Sequence, residues 1–149
     1  MNFFTELFAN QIFMSAFIGW FVAQVLKTLI HLWFHKEFVA ERLIGSGGMP
    51  SSHSSTVCAM ATSTAILYGA GSFEFAVTVF FAIIVMHDAM GVRQETGKQA
   101  KILNEFLAMF STTENNFTEE KLKEFVGHTP LQVLMGGLLG ILIGLLYCL

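Results

Sequence analysis

Long runs of apolar residues, separated by polar segments, dominate this chain. Residues 7–26 carry no formal charge, and residues 75–86 and 130–149 are strongly apolar. A bilayer core about 30 Å thick is crossed by roughly 20 residues of α-helix. The pattern therefore predicts membrane helices at about 8–35, 73–91 and 130–148.

A fourth apolar segment, at about 53–70, is diluted by hydroxyl groups. Residues 43–73 contain no Asp, Glu, Lys or Arg, but eight of the positions from 51 to 64 are Ser or Thr. Hydroxyl groups are tolerated inside a membrane bundle, where they form hydrogen bonds across helices. The sequence thus predicts an all-α, integral membrane helical bundle of one domain, residues 1–149, with about four transmembrane helices.

The long polar stretch, residues 92–127, separates the third predicted span from the last. Within 94–110 the apolar residues Ala100, Leu103 and Phe106 recur at helical spacing, and 118–126 predicts a second short helix. Helices that are apolar on one face lie at the membrane interface. We therefore expect amphipathic interfacial helices in this segment.

Composition and charge narrow the class of protein. Hydrophobic residues make up 54% of the chain and charged residues 13%, whereas about a quarter of an average soluble domain is charged. Disordered chains, nucleic-acid binders and most soluble folds are therefore excluded. All eight Lys and Arg lie within 27–42 and 93–123. The positive-inside rule then predicts that both polar loops are cytoplasmic in a cell membrane, of the bacterial inner-membrane type, with both termini on the opposite side.

The loop before the second predicted helix combines glycines, serines and a histidine. Gly47 and Gly48 allow backbone amides to turn inward, and Ser51 and Ser52 place hydroxyls at a helix start. Free amides at a helix N-terminus attract anions. His53 follows, and an imidazole beside a bound anion can give a proton to a leaving oxygen. The alternative is a Gly/Ser turn that only caps the helix.

Two further polar clusters fall on the same predicted side. His128 directly precedes Thr129 and Pro130, which suit the N-cap and first position of the last helix. Asp88 lies near the membrane edge, where an unpaired carboxylate is costly. Arg93 could clamp a phosphate with two hydrogen bonds. The alternative is that Asp88 and Arg93 form an ion pair that only holds the helix end.

The first predicted helix, 8–35, contributes a cation near the predicted cytoplasmic side. Gln24, Lys27 and His31 share one helical face, although Lys27 could instead snorkel to the interface. Two histidines, an arginine, a lysine and two helix N-termini would then meet on one face. Such a set suits phosphate ester chemistry, in which one imidazole attacks phosphorus and another protonates the leaving alkoxide.

Three segments, 47–54, 88–93 and 127–130, resemble motifs of the divergent branch of the type 2 phosphatidic acid phosphatase superfamily, which is related to vanadium-dependent haloperoxidases. The resemblance implies a helical lipid phosphatase that works without a metal or another cofactor, through a phosphohistidine. It implies that His53, in Pro50-Ser51-Ser52-His53, is the general acid and that His128 is the nucleophile.

The chain departs from the superfamily's motifs at two positions, one before His128 and one after it. Leu122 stands where the superfamily has an arginine, and Gln132 stands where it has an aspartate. We expect Arg93 to supply the missing cation, Lys27 to replace an early lysine motif, and Gln132 to hydrogen-bond the imidazole.

These arguments predict a phosphatase for the phosphomonoester or pyrophosphate headgroup of a lipid, such as phosphatidylglycerophosphate, phosphatidate or a polyprenyl phosphate. The expected catalytic residues are His128, His53 and Asp88, with Asp88 orienting Arg93 or a histidine. The residues expected to bind the phosphate are Lys27, Gly47, Gly48, Ser51, Ser52, Arg93 and Gln132.

Two rival functions stay open. One is a non-catalytic membrane protein that binds or translocates a phosphorylated lipid, and the other is a metal-dependent enzyme that uses Asp88 with a histidine. The expected partners are the lipid substrate and the bilayer, and no nucleic acid. Gly136, Gly140 and Gly144 form a small-residue face that suits close helix packing, either within the chain or in a homodimer.

Overall fold

The computed structural model describes residues 2–36, 48–110, 122 and 127–149. Within these ranges every regular element is an α-helix, which confirms the predicted all-α class. The helices are α1 (Phe3–Ala9), α2 (Gln11–His35), α3 (Ser52–Tyr68), α4 (Phe73–Met90), α5 (Val92–Phe110) and α6 (Pro130–Cys148).

The first predicted span, 8–35, divides at Asn10. The Asn10 side chain accepts a hydrogen bond from the backbone N–H of Phe13 at 3.0 Å, so Asn10 is the N-cap of α2. A cap of this kind satisfies an N–H that has no partner inside the helix. Helix α1 therefore ends at Ala9. At the other end, α2 stops at Lys36, whose φ is 54°.

The polar segment after α4 forms α5 from Val92, two residues earlier than predicted. Leu103 and Phe106 are exposed on this helix, whereas Ala100 is buried. The second helix predicted in this segment, at 118–126, lies outside the described residues except for Leu122. Leu122 exchanges two hydrogen bonds with the side-chain amide of Asn104, of 3.0 and 2.9 Å.

Three helical stretches are long and apolar enough to cross a membrane: Gln11–His35, Phe73–Met109 and Pro130–Cys148. Four transmembrane helices are therefore not confirmed. Large apolar side chains such as Phe80, Ile84 and Leu146 are exposed on α4 and α6. Lipid would cover these side chains in a membrane.

Helix α3 has 17 residues, many of them Ser or Thr, so it is too short and too polar for this criterion. It lies in the interior of the bundle. It packs against α2, α4 and α6, so its hydroxyls meet protein rather than lipid. Ser55 Oγ donates to the carbonyl of Gly19 at 2.8 Å, and Ser63 Oγ donates to Ser15 Oγ at 2.6 Å. The later residue of α3, Ser63, thus pairs with the earlier residue of α2, Ser15, so the two helices are antiparallel.

The glycine face of α6 packs against α3 inside the chain. A Cβ atom at Gly136 would meet the carbonyl oxygen of Ser51, and one at Gly144 would lie 2.7 Å from Thr62 Cβ. These positions permit the close approach that small residues provide in membrane bundles. The predicted homodimer stays a prediction, and the glycine face no longer argues for it.

Candidate functional site

Backbone hydrogen bonds bring the predicted loops together at one end of the bundle. The N–H of Ser51, before α3, donates to the carbonyl of Gln132 in α6 at 3.0 Å. The N–H of His128 donates to the carbonyl of Ala89, near the end of α4, at 2.9 Å. The starts of α3 and α6 and the end of α4 therefore share one site.

Gly127 allows the chain before α6 to pass close to the start of α5. Its φ is 102°, in the left-handed region that favours glycine. A Cβ atom at this position would lie 2.6 Å from the backbone nitrogen of Gln94 and 2.9 Å from the carbonyl carbon of Arg93. The third motif thus packs directly on the second.

The two histidines face each other across the site. The ring centroids of His53 and His128 are 5.8 Å apart, and the ring planes are inclined by 63°. His128 is only 2% exposed. His53 Nδ1 and His128 Nε2 are both buried and have no hydrogen-bond partner. Buried polar atoms are nearly always satisfied, so two such atoms in one place indicate a site that a ligand or water completes.

Gln132 holds the other nitrogen of the His128 ring. Gln132 Oε1 lies 3.2 Å from His128 Nδ1 and accepts the backbone N–H of Thr129 at 3.1 Å. The Thr129 side chain in turn accepts the N–H of Gln132 at 3.4 Å, which completes a capping box. The side-chain oxygen of Gln132 is therefore engaged within the protein. The structure places this side chain beside the imidazole. That Gln132 also binds a phosphate stays a prediction.

Burial lowers the pKa of the His128 imidazole below its usual 6.5, because it removes water from the charged form. The hydrogen bond to Gln132 acts in the opposite direction, and the cations Lys27 and Arg93 lower the pKa further. The surroundings of His128 therefore favour the neutral imidazole over the charged form.

Arg93 and Asp88 form an ion pair at the junction of α4 and α5. Arg93 Nε donates to Asp88 Oδ2 at 3.0 Å, and both side chains are partly exposed. Within the described part of the chain, no other nitrogen of this guanidinium has a hydrogen-bond partner. The pair is compatible both with Asp88 orienting Arg93 and with an ion pair that holds the helix end.

Lys27 lies inside the bundle. It is 3% exposed, which argues against the alternative that it snorkels to the membrane interface. Its charge acts on both His53 and His128, so the ammonium group lies near the histidine pair. Together with Arg93 it makes the site positive, as anion binding requires.

A family profile described as "Divergent PAP2 family" matches residues 8–143. The chain belongs to this family. The uncharacterized membrane protein YuiD of Bacillus subtilis (strain 168) is 37% identical over 150 residues, which cover 94% of this chain and 95% of that relative. No solved structure matches the chain significantly. The family match confirms the resemblance stated from the motifs, and this relative agrees with a membrane location.

The position at which the wider PAP2 superfamily has an arginine is occupied by Leu122, whose backbone binds Asn104 of α5. Arg93, rather than residue 122, brings a guanidinium to the histidines in this family member. That Arg93 supplies the missing cation for a bound phosphate stays a prediction.

The serines at the start of α3 have unequal positions. Ser51 is the N-cap of α3, and its Oγ accepts from the backbone N–H of Ser54 at 3.3 Å and from Ser54 Oγ at 3.0 Å. Ser51 thus caps α3. That the same loop also binds a phosphate stays a prediction. Ser52 is buried as the first residue of α3. Gly48 has a φ of 86°, and Gly47 lies outside the described residues.

Among the described residues, no group of three or more His, Cys, Asp or Glu side chains is placed to hold a metal ion. Asp88, which the metal-dependent hypothesis requires, is paired with Arg93 instead.

The sequence indicated two features of the structure only in part. Gln24 is 5% exposed and its buried Oε1 has no partner among the described residues, whereas its spacing from Lys27 indicated only that the two share one helical face. The capping box of Thr129 and Gln132 has the pattern of Ser/Thr followed three residues later by Glu/Gln. That pattern could have predicted where the Gln132 side chain points.

Proposed function

We propose that this membrane protein hydrolyses the phosphomonoester or pyrophosphate headgroup of a lipid through a phosphohistidine at His128. The histidine pair carries the proposal. The ring centroids of His53 and His128 lie 5.8 Å apart, and each ring has a buried nitrogen without a partner. The cations Lys27 and Arg93 lie near both rings. A phosphoryl group between the rings would meet a nucleophile on one side and a proton donor on the other.

In the first step, the lone pair of His128 Nε2 attacks phosphorus and forms an N–P bond. The bond from phosphorus to the ester or anhydride oxygen breaks, and that oxygen takes a proton from His53. Lys27 and Arg93 stabilise the negative charge on the remaining oxygens. Phosphoryl transfer depends mainly on such positioning and charge stabilisation.

In the second step, water attacks the phosphohistidine. Neutral His53 accepts a proton from this water, the N–P bond breaks, and its electron pair returns to His128. The products are inorganic phosphate and the lipid alcohol, or the lipid monophosphate when the substrate is a pyrophosphate. Both imidazoles regain their starting states.

The charge of the substrate contributes to the first step. The groups whose charges act on the His53 ring are Arg93, His128 and Lys27, which repel a positive charge, and Asp88, which attracts one. A bound phosphate adds negative charge next to the ring and so stabilises the protonated imidazole. His53 would therefore become a competent acid when a phosphorylated substrate occupies the site.

We also propose that α3 crosses the membrane as a fourth helix and that the site faces the cytoplasm. Its 17 residues span about 26 Å, close to the bilayer core of about 30 Å. In the sequence all eight Lys and Arg lie within 27–42 and 93–123, and Arg93 lies at the site end of the bundle. By the positive-inside rule this distribution supports a cytoplasmic site. A lipid headgroup would reach the histidines while its acyl chains stay in the bilayer.

A panel of lipid phosphates tests this function. Protein purified in detergent, with a chelator present, should release phosphate from at least one of phosphatidylglycerophosphate, phosphatidate and a polyprenyl phosphate. His128→Ala should abolish release, whereas His35→Ala, which changes an exposed histidine outside the site, should leave it unchanged. Absence of turnover on every lipid, or turnover that survives His128→Ala, would contradict the proposal.

A second candidate is a protein that binds or moves a phosphorylated lipid without cleaving it. The neutral Gln132 beside His128 favours this candidate, because an amide stabilises an imidazolium less than a carboxylate does. Binding of the same lipids without phosphate release would support it. Activity that is lost on chelation and restored by Mg²⁺ would instead support a metal-dependent enzyme.

A further inference from the structure

One buried polar group of the bundle has no part in the proposed reaction. Among the described residues, the buried side-chain atoms without a hydrogen-bond partner are His53 Nδ1, His128 Nε2 and Gln24 Oε1. The reaction uses the two histidines and leaves Gln24 unexplained. Gln24 is 5% exposed. A buried acceptor without a donor is destabilising, so its presence points to a ligand or water that supplies the donor.

A contact between α2 and α3 places Gln24 at the level of the start of α3. Ser55 Oγ donates to the carbonyl of Gly19 at 2.8 Å, and the two helices are antiparallel. Gln24 therefore lies about 7.5 Å farther along α2 than Gly19, at a rise of about 1.5 Å per residue. His53 lies in the same direction from Ser55. Gln24 and His53 are thus at similar depths in the bundle.

Gln24 also shares the buried face of α2 with Lys27. Residues three apart in a helix are neighbours on its surface, and Lys27 is 3% exposed. The charge of Lys27 acts on both His53 and His128, so its ammonium group lies near the two rings. Gln24 therefore lies one turn deeper than Lys27, beside the same site.

The chemistry of the Gln24 oxygen differs from that of the other groups at the site. An amide oxygen only accepts hydrogen bonds. The cations Lys27 and Arg93 favour a fully ionised phosphate, because nearby opposite charge stabilises the charged form. Such a phosphate has no proton to donate. A ligand that satisfies Gln24 therefore carries its donor outside the phosphate.

From this placement we infer that Gln24 is a specificity-determining residue, whose Oε1 accepts a hydrogen bond from a hydroxyl of the lipid headgroup. The inference rests on the proposed function, because it assigns the headgroup to the same site. The hydroxyl is on the carbon next to the phosphorylated carbon, since Gln24 lies beside the phosphate position. Phosphatidylglycerophosphate has this hydroxyl on its headgroup glycerol, whereas phosphatidate and polyprenyl phosphates have none.

Two lipids that differ by one hydroxyl test this inference. One is phosphatidylglycerophosphate, and the other is its deoxy analogue, in which 1,3-propanediol replaces the headgroup glycerol. A site built to bind a hydroxyl disfavours an analogue without it, because its own polar group stays unpaired. The wild type in detergent should therefore hydrolyse the hydroxylated lipid with a kcat/KM about 10- to 100-fold higher.

The variant Gln24→Met removes the acceptor and keeps a side chain of similar length. It should lower kcat/KM for phosphatidylglycerophosphate to the value for the deoxy lipid, and leave the deoxy lipid's value unchanged. Gln11→Met, at the exposed first residue of the same helix, is the control and should keep the wild-type preference. The wild-type comparison needs no variant, so it tests the inference even if Gln24→Met does not fold.

Two results would overturn the inference. One is equal turnover of the two lipids by the wild type. The other is an equal loss on both lipids in Gln24→Met, which would show that Gln24 contacts the phosphate or contributes only to packing.

Phosphonate analogues of the two lipids separate the inference from the function on which it rests. A phosphonate has a P–C bond in place of the ester P–O bond, so it can bind without being cleaved. Calorimetric titration should give a Kd about 10-fold lower for the hydroxylated phosphonate with the wild type, and equal Kd values with Gln24→Met. If this difference is found but no lipid is hydrolysed, the proposed function fails and the hydroxyl site stands. If lipids are hydrolysed but neither Kd nor kcat/KM distinguishes the two, the inference alone fails.

Discussion

The starts of α3 and α6 carry one site histidine each, and they hold it differently. Both helices have a hydroxyl N-cap, Ser51 and Thr129. His128 precedes its cap and is bound through its backbone N–H and through Nδ1. His53 lies inside the first turn of its helix, and its Nδ1 has no partner.

This difference matches two chemical tasks. A nucleophile must present one lone pair in a fixed direction, and the contacts of His128 leave only Nε2 free to do so. A proton donor needs a partner mainly when substrate is bound. The positive end of the α3 dipole also disfavours a charge on His53 until an anion arrives. His128, which hydrogen bonds fix in place, is thus suited to attack. His53, whose Nδ1 has no partner, is suited to proton transfer.

The largest fall in activity is expected from His53→Ala, which removes the proposed proton donor and so tests whether the two histidines have different roles. Loss of a general acid typically slows a reaction by about 10²- to 10⁴-fold, so lipid turnover should fall within this range. An aryl phosphate, whose leaving group needs no proton, should be affected much less in its first step.

The readout is the burst of released phenol at high enzyme concentration. His53→Ala should retain a burst with the aryl phosphate, and His128→Ala should have none. If both variants lose the burst equally, the two histidines do not have the separate roles assigned to them.

A smaller effect on turnover is expected from Gly136→Ala, which disturbs the contact between the starts of α6 and α3. A Cβ atom at Gly136 would meet the Ser51 carbonyl and lie 3.0 Å from Ser54 Cβ, whereas one at Gly137 would lie 3.5 Å from Cys58 Sγ. Gly136→Ala should therefore cost about 1–3 kcal/mol of stability and lower turnover. Gly137→Ala should be close to neutral.

Thermal unfolding in detergent and initial rates measure both variants. The pair is closely matched, because the same methyl group is added at adjacent positions of one helix. Equal stability and equal rates in the two variants would show that the close approach of α6 to Ser51 does not hold the histidines in register.

The sequence predicted the start of α6 well and the ends of other helices less well. Thr129 and Pro130 are the N-cap and first residue of α6 as expected, since both carry strong local signals. Asn10, which divides the first predicted span, and its neighbour Gln11 are uncharged and lie between apolar runs, so hydropathy conceals the break. The decisive interaction there is one side-chain bond to Phe13.

Helix α3 shows why hydropathy alone cannot count the membrane helices of this bundle. Its serines and threonines lower its mean hydropathy, but several, such as Ser55 and Ser63, bond directly to α2. Whether such a segment meets lipid or protein depends on contacts between distant parts of the chain. A window of sequence does not contain those contacts.

The sequence indicated which residues form the candidate site, but it did not indicate how their side chains contact one another. The motifs indicated His53, His128 and Arg93 as neighbours, and the structure brings their segments together. The two contacts of Gln132 Oε1 depend on the turn before α6. Because that turn aligns a backbone N–H with a side chain, the residue type alone does not indicate that Gln132 orients a ring.

The account's central claim is that His128 carries the phosphoryl group, and trapping that intermediate tests it most directly. Protein mixed with a ³²P-labelled lipid phosphate and quenched in base should carry label that is stable in base, released by acid and located on His128. The label should be absent in His128→Ala and present in His35→Ala. Hydrolysis of the lipid by the wild type with no labelled protein, or with label on another residue, would contradict the account.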